Sequence, residues 1–122
     1  MGRNGFDREG FKLRTKRFGL RVIRVVQALP RTAEAQAIGN QLLRSGTSVG
    51  ANYRAACRAK STADHINKLK IVEEEADESL YWLELLVEAE IMPHALLAEL
   101  MKEGDEILAI IVTSIKTQRT NK

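Results

Sequence analysis

Residues 61–90 read STADHINKLKIVEEEADESLYWLELLVEAE, and this segment predicts one long helix. Ser61 and Asp64 form a pattern like a capping box, with Asp in place of the usual Glu, so a helix is expected to begin here. The apolar residues that follow recur at spacings of three and four, which gives a heptad-like seam; they are Ile66, Leu69, Ala76, Leu80, Leu83 and Val87. This seam predicts an uninterrupted helix of about 28–30 residues, the longest element of the chain.

Three more helices are predicted around this segment. The first spans about residues 7–29 and ends before Pro30, the second runs from the N-cap Thr32 to about Ala59, and the fourth begins near Pro93. Each has one apolar stripe at helical spacing; the stripes are Phe11, Phe18, Val22, Val25 and Leu29, then Ile38, Leu42, Ser45, Val49, Tyr53 and Ala56, and finally Leu97, Leu100, Gly104, Ile107, Ile111 and Ile115.

The connections between these helices are short, so neighbouring helices should be antiparallel. The expected fold is therefore all-α, an antiparallel up-down four-helix bundle. We expect one domain over residues 1–122, with frayed termini at 1–6 and 117–122.

Three glycines make the second helix unusual. Gly39, Gly46 and Gly50 each cost up to ~1 kcal/mol relative to alanine in a helix interior, yet they share one stripe with Cys57. A row of small residues lets another helix backbone approach closely, and this is the interpretation we favour. The alternative is a break in the helix near residues 45–48. Cys57 is interpreted as a small packed residue rather than a reactive thiol.

Composition excludes several classes of protein. At 122 residues, 44% apolar and 29% charged, the chain fits one folded domain and does not resemble a disordered one. No apolar run approaches the ~18–20 residues of a membrane span, and residues 1–10 lack the apolar core of a signal peptide. The lone cysteine cannot form an internal disulfide. These features predict a cytoplasmic protein that contacts no membrane.

Several short signatures in the central region carry a family resemblance. Residues 44–52, RSGTSVGAN, are similar to a helix-2 signature, and residues 73–79, EEEADES, and 81–85, YWLEL, are similar to a helix-3 signature. Both signatures are typical of the bacterial four-helix-bundle protein family that was first noticed in intervening sequences within large-subunit ribosomal RNA genes, and the chain resembles that family. The resemblance covers nearly the whole chain.

The resemblance implies the four-helix fold and a ring-shaped homopentamer. It also implies kinship with the accessory variability determinant proteins of diversity-generating retroelements, which are basic and bind nucleic acid. Most members of the family have no established activity, so the resemblance implies the fold far better than the function.

No arrangement of residues indicates an enzyme. The sequence lacks a G-x-S-x-G motif and a phosphate-binding glycine loop between a strand and a helix. A di-iron bundle would need Glu-x-x-His pairs, and neither His65 nor His94 stands at ligand spacing from a carboxylate. We therefore predict no catalytic residue, no metal and no cofactor.

One acidic residue is predicted to face the core. Glu73 falls within the apolar stripe of the third helix, where a carboxylate must be hydrogen-bonded or neutralised. Ser45 and Asn52 lie on the core-facing side of the second helix and are candidate partners. We therefore predict that these three residues form a buried polar network, which would fix the register of the helices. The alternative is that Glu73 binds a ligand or acts in catalysis.

Two helices carry a second apolar patch. A peripheral helix cannot bury two opposed faces in one bundle, and extra apolar surface usually marks an interface. We therefore predict a homo-oligomer with Trp82 as a natural anchor, whereas the alternative is an uneven bundle that buries these side chains internally. The predicted interface residues are Leu13, Leu20, Ile71, Trp82 and Leu86.

Arginines form two ordered stripes away from the predicted core. Arginine suits phosphate because its planar guanidinium donates parallel hydrogen bonds and stays charged, so the stripes predict a surface that contacts RNA or DNA. The residues are Arg14, Arg17, Arg21 and Arg24 on the first helix, and Arg44, Arg54 and Arg58 on the second.

Charge distribution leaves an alternative open. Residues 1–31 hold nine bases and two acids, and residues 62–90 hold nine acids and two bases. The two segments can neutralise each other within one bundle or across a subunit interface. The protein would then be an oligomeric scaffold that binds a protein partner and no nucleic acid.

Overall fold

The computed structural model describes residues 6–120, which fold into four helices. They are α1 (Arg8–Gln27), α2 (Ala33–Cys57), α3 (Thr62–Glu88) and α4 (His94–Thr120). Each helix packs on the next along the chain, and α1 also contacts α4, though less extensively. No strand occurs within the described residues, and the predicted all-α four-helix bundle is confirmed. None of the four helices is both long enough and apolar enough to cross a membrane.

The ends of the helices follow local chemistry. Side chains of Asp7, Thr32 and Ser61 accept hydrogen bonds from backbone N–H groups three residues ahead and so cap α1, α2 and α3. At the other end of α3, Glu90 adopts a φ of 61°. The N–H of Glu90 donates to the Val87 carbonyl and the N–H of Ile91 to the Leu86 carbonyl. This Schellman motif ends the helix.

The predicted helix lengths need two corrections. Because Glu90 turns into the left-handed conformation, α3 ends at Glu88 and has 27 residues, and α4 has 27 as well. The third helix is therefore not longer than every other. Residues 117–120, which were expected to fray, are helical within α4. Residues 1–5 and 121–122, which hold the rest of the expected frayed ends, lie outside the described range.

One hydrophobic core runs through the bundle. The predicted α4 stripe is buried in full, and most of the α1 and α2 stripes are buried as well. Helix α3 buries more than its predicted seam, because it lies between α2 and α4 and packs against both. Its additional buried residues are Val72, Ser79 and Leu86. Val25, Ile38 and Val87, which were predicted to be core, are partly buried at its edge.

Helix α1 approaches α2 most closely at the glycines of α2. A Cβ built on Gly46 would lie 2.7 Å from both methyl groups of Val22, and one on Gly50 would lie 3.2 Å from the backbone carbonyl of Thr15. The helices are antiparallel, since contacts at higher α2 numbers fall at lower α1 numbers. Helix α2 is continuous through residues 45–48. The prediction of close helix approach at small residues is confirmed.

Replacing Gly46 with alanine should destabilise the bundle. Val22 is fully buried and cannot move away from the new methyl group, so overpacking should cost about 1–3 kcal/mol, more than the gain of up to ~1 kcal/mol in helix propensity. Urea unfolding followed by circular dichroism measures the difference. Gly19→Ala is the matched control, because its Cβ would meet its nearest atoms at an ordinary 3.6 Å. A Gly46→Ala protein as stable as the Gly19→Ala protein would contradict the close packing.

Candidate nucleic-acid interface

Arg14 on α1 forms ion pairs with two acidic residues of α4. Its Nε and Nη2 donate to the two carboxylate oxygens of Glu103 at 2.6 and 2.9 Å, and Nη2 also donates to Glu106 at 2.6 Å. These hydrogen bonds, that to Glu103 first, raise the pKa of the Arg14 guanidinium above its ordinary range. Such bidentate pairing fixes the side chain in one geometry. Arg14 therefore ties α1 to α4.

Arg44 makes the equivalent link between α2 and α3. Its guanidinium donates to Glu75 at 3.2 Å and also to Glu78, whose Oε2 accepts a second hydrogen bond from Trp82 Nε1 at 3.0 Å. The hydrogen bond to Glu78 is the largest cause of a raised Arg44 pKa. On the carboxylate side, the bond from Trp82 and then that from Arg44 lower the pKa of Glu78.

These pairs correct the predicted arginine surface. Arg14 and Arg44 do not point freely to solvent, because acids on neighbouring helices lie within reach of them. The other five predicted arginines are exposed and make no ion pair within residues 6–120; they are Arg17, Arg21, Arg24, Arg54 and Arg58. The remaining surface combines a stripe on α1 with a short row on α2.

A groove of about 590 Å³ lies between α1 and α2 on the outside of the bundle. Leu13, Leu20 and Ile23 provide its apolar lining, and backbone at Gly19 and Gly50 forms part of its surface. Four bases line its sides; they are Lys12, Lys16, Arg54 and Arg58. Lys12 pairs with Glu9 at 2.9 Å. The groove therefore combines apolar side chains with an excess of positive charge.

Sequence reasoning missed the two lysines of this groove. Lys12 and Lys16 lie one helical turn apart on the side of α1 that faces α2. Their spacing was visible in the sequence, but their proximity to Arg54 and Arg58 depends on how closely α1 and α2 pack. The α2 arginines thus belong to two surfaces, since Arg44 faces α3 and the other two face α1.

The predicted buried polar network is wrong in two of its three members. Glu73 is only partly buried and lies in a groove with Leu108 and Val112 of α4. Asn52 is partly buried and donates locally to the Ser48 carbonyl at 2.9 Å. Ser45 is buried as predicted, but its partner across the helix interface is Ser79, whose hydroxyl donates to it at 3.1 Å. Val72 takes the core position assigned to Glu73, because the buried arc of α3 turns toward α2.

The second apolar patch also needs a correction. Leu86 is 0% exposed and belongs to the core of its own chain, so it cannot form part of an outer surface. Trp82 is partly buried against the core and packs edge-on against Tyr81. Leu13, Leu20 and Ile71 are 45%, 52% and 38% exposed. Of the five predicted interface residues, Leu13 and Leu20 on α1 and Ile71 on α3 are therefore the exposed ones.

The described residues offer little for a metal. Within residues 6–120 no three side chains of His, Cys, Asp or Glu come together as metal ligands would. The polar side chains that are buried there have hydrogen-bond partners. The chemically distinctive features of residues 6–120 are thus surface charge and groove shape.

The chain is similar to a known protein family and to solved structures. A family model described as 23S rRNA-intervening sequence protein matches residues 12–113. A crystal structure from Bacteroides thetaiotaomicron, described as a protein of unknown function from the S23 ribosomal protein family, is 37% identical with a TM-score of 0.81. The match covers 86% of this chain and 97% of that one. No curated protein matches the sequence.

Acid should weaken the fold partly through Glu78. Its pKa is lowered in the folded protein, so its contribution to stability is present above the ordinary glutamate pKa, about 4.3, and is lost as pH falls through the lower folded value. Glu78→Gln keeps an acceptor for Trp82 but cannot titrate. The free energy of unfolding from urea melts, followed by the single tryptophan, should therefore fall less between pH 5 and 3 in the variant than in the wild type. Equal losses would contradict the role of Glu78.

Proposed function

The chain belongs to the 23S rRNA-intervening sequence protein family, and from this premise we propose that it is a non-enzymatic, cytoplasmic homo-oligomer that binds nucleic-acid backbone through α1. One observation carries the proposal. Arg17, Arg21 and Arg24 are exposed on α1 and make no ion pair within residues 6–120, whereas Arg14 and Arg44 each hold two carboxylates.

The stripe has the geometry of a phosphate-contacting surface. Arg17 and Arg24 are seven residues apart, which places them about 10 Å apart along the helix axis, with Arg21 between them. Each guanidinium can donate two parallel hydrogen bonds to one phosphate. Several such contacts along one backbone give useful affinity from individually weak ones. Arg54 and Arg58 line the α1–α2 groove, and the three stripe arginines do not.

The surface favours binding without sequence preference. Phosphate contacts carry no base information, and stacking on single-stranded bases requires exposed aromatic rings. Among the exposed large apolar side chains of residues 6–120 only two are aromatic, and of these Tyr81 lies on α3 while Phe6 precedes α1. The family's name associates it with 23S rRNA, so RNA is the nucleic acid to test first.

Self-association is the second part of the proposal. Leu13 and Leu20 are about half exposed on α1, and an apolar surface of this kind is typical of an interface. Ile71 and Trp82 on α3 are the other proposed contacts. Five copies in a ring is the number that the family resemblance implies. In a ring the α1 stripe would be repeated in every subunit, so that contacts sum along a long nucleic acid.

Removing the three arginines of the α1 stripe, Arg17, Arg21 and Arg24, should weaken RNA binding strongly. We expect the wild type to retard an RNA duplex in a native gel at low salt, and the affinity to fall steeply with added salt because binding releases counterions. The Arg17→Gln, Arg21→Gln, Arg24→Gln protein should lose at least tenfold in affinity and keep its fold and its size.

The matched control removes three charges elsewhere. Lys60, Lys102 and Lys116 are exposed and lie outside α1 and α2; their change to Gln should alter RNA affinity much less. If the two triple variants bind equally, net charge rather than the α1 stripe drives binding. If the wild type binds neither RNA nor DNA at low salt, the protein scaffold is the better account.

A charge placed at Leu20 should dissociate the oligomer. Leu20→Glu puts a carboxylate in a proposed apolar contact, and removing that carboxylate from water on assembly is costly. Light scattering at micromolar concentration should report several copies for the wild type and one for the variant, with unchanged helical content by circular dichroism. Leu96→Glu is the control, because Leu96 is more exposed but lies at the start of α4. A monomeric wild type would overturn the proposed self-association.

A further inference from the structure

Exposed apolar side chains are concentrated on two faces of the bundle. Residues 6–120 expose six large apolar side chains, and four of them are Leu13 and Leu20 on α1 and Ile71 and Tyr81 on α3. The α1 pair lines the groove beside α2. The α3 pair stands on a helix that does not pack against α1 within the described residues. The two faces therefore lie on different parts of the molecule.

The two faces have opposite charge. Lys16, Arg54 and Arg58 line the α1–α2 groove and make no ion pair within residues 6–120. On α3, Glu75 and Glu78 are engaged by Arg44. A second set of α3 acids is exposed and has no ion pair in the same range; it comprises Glu74, Asp77, Glu84 and Glu88.

We propose that the α1–α2 groove of one subunit receives the outer face of α3 from a second copy of this chain. The proposal rests on the self-association proposed above and names the two surfaces that meet. A helix laid into an apolar groove is a common mode of recognition. Here the apolar side chains would meet at the centre while the arginines of the groove lining pair with the α3 acids.

The spacing of the two faces agrees. Leu13 and Ile23 are ten residues apart on α1, and Ile71 and Tyr81 are ten residues apart on α3, so each apolar row is about 15 Å long. Glu74 lies between the ends of the α3 row, as Lys16 does on α1. Two helices with rows of equal length can therefore align both their apolar contacts and their opposite charges.

Such contact is head-to-tail. Because the groove and the α3 face are different surfaces, each subunit that uses one still presents the other, and the contact repeats until a ring closes. The arrangement also divides the basic residues. Arg54 and Arg58 would be neutralised by the neighbouring subunit, whereas Arg17, Arg21 and Arg24 would remain outside the contact for phosphate.

A charge swap tests the proposal. Arg54→Glu with Arg58→Glu makes the groove acidic, and Glu74→Lys with Asp77→Lys and Glu84→Lys makes the α3 face basic, because only Glu88 of the four unpaired acids then remains. Each variant alone then presents two faces of like charge and should be monomeric by light scattering. In an equimolar mixture each contact between unlike chains has opposite charges, so assemblies that contain both chains should reappear by native mass spectrometry. Because two chains cannot alternate around a ring of five, these mixed assemblies should be open chains or rings with an even number of copies. Lys102→Glu with Lys116→Glu on α4 is the control and should assemble as the wild type does.

Several outcomes would overturn the proposal. One is that either reversed variant still assembles alone, and another is that the mixture stays monomeric. If the wild type self-associates but the swap fails, self-association stands and these surfaces do not mediate it. If the groove variant assembles normally but loses RNA binding, the groove is a nucleic-acid surface instead.

Cross-linking the wild type gives a measurement free of any folding defect. A carbodiimide joins a lysine to a carboxylate in direct contact, and the proposal places Lys16 of one subunit beside Glu74 or Asp77 of the next. Because α1 and α3 do not pack together within a chain, such a link must join two copies. Its absence from the covalent dimer, with other links present, would contradict the proposed contact.

Discussion

The close approach of α1 to α2 is the constraint on which the rest of the structure depends. Gly46 and Gly50 remove the side chains that would hold the two helices apart, and Val22 and the Thr15 backbone occupy the space. The loss in helix propensity is offset by packing along a long antiparallel interface. The same proximity brings the bases of both helices to one groove. A requirement of packing thus fixes the position of the candidate site.

Charge in this bundle falls into two classes. Arg14 and Arg44 are held by carboxylates of neighbouring helices and link α1 to α4 and α2 to α3. The Arg44 pairs are exposed and so add little to stability, whereas the Arg14–Glu103 pair is partly buried. Both links fix the orientation of their arginine side chains. Of the seven arginines predicted to bind nucleic acid, the five that make no ion pair within residues 6–120 lie on α1 and in the lining of the groove. Both functional proposals depend on this division, since a paired arginine is not available to a phosphate or to a second subunit.

The sequence predicts the fold well because periodicity and capping are local properties. The apolar residues of the α4 stripe recur at regular spacing and are buried as predicted. The predicted close approach of another helix at the glycines of α2 is also observed. The failures occur where the outcome depends on a neighbouring helix. Glu73 and Val72 are adjacent, and only the packing of α3 against α2 decides that Val72 is buried. In the same way, the sequence of α1 does not reveal which of its arginines form ion pairs. Arg14 pairs with Glu103 of α4, whereas Arg17 has no such partner within residues 6–120.

Mass-spectrometric footprinting of arginines tests the division of charges most directly. A dicarbonyl reagent modifies free guanidinium groups faster than those held in bidentate ion pairs, so each arginine reports its own state in the intact protein. The account predicts fast modification of Arg17, Arg21 and Arg24 that slows when an RNA duplex is added, with slow and unchanged modification of Arg14 and Arg44. Modification of all five at similar rates, or no protection of the α1 stripe by saturating RNA, would contradict it.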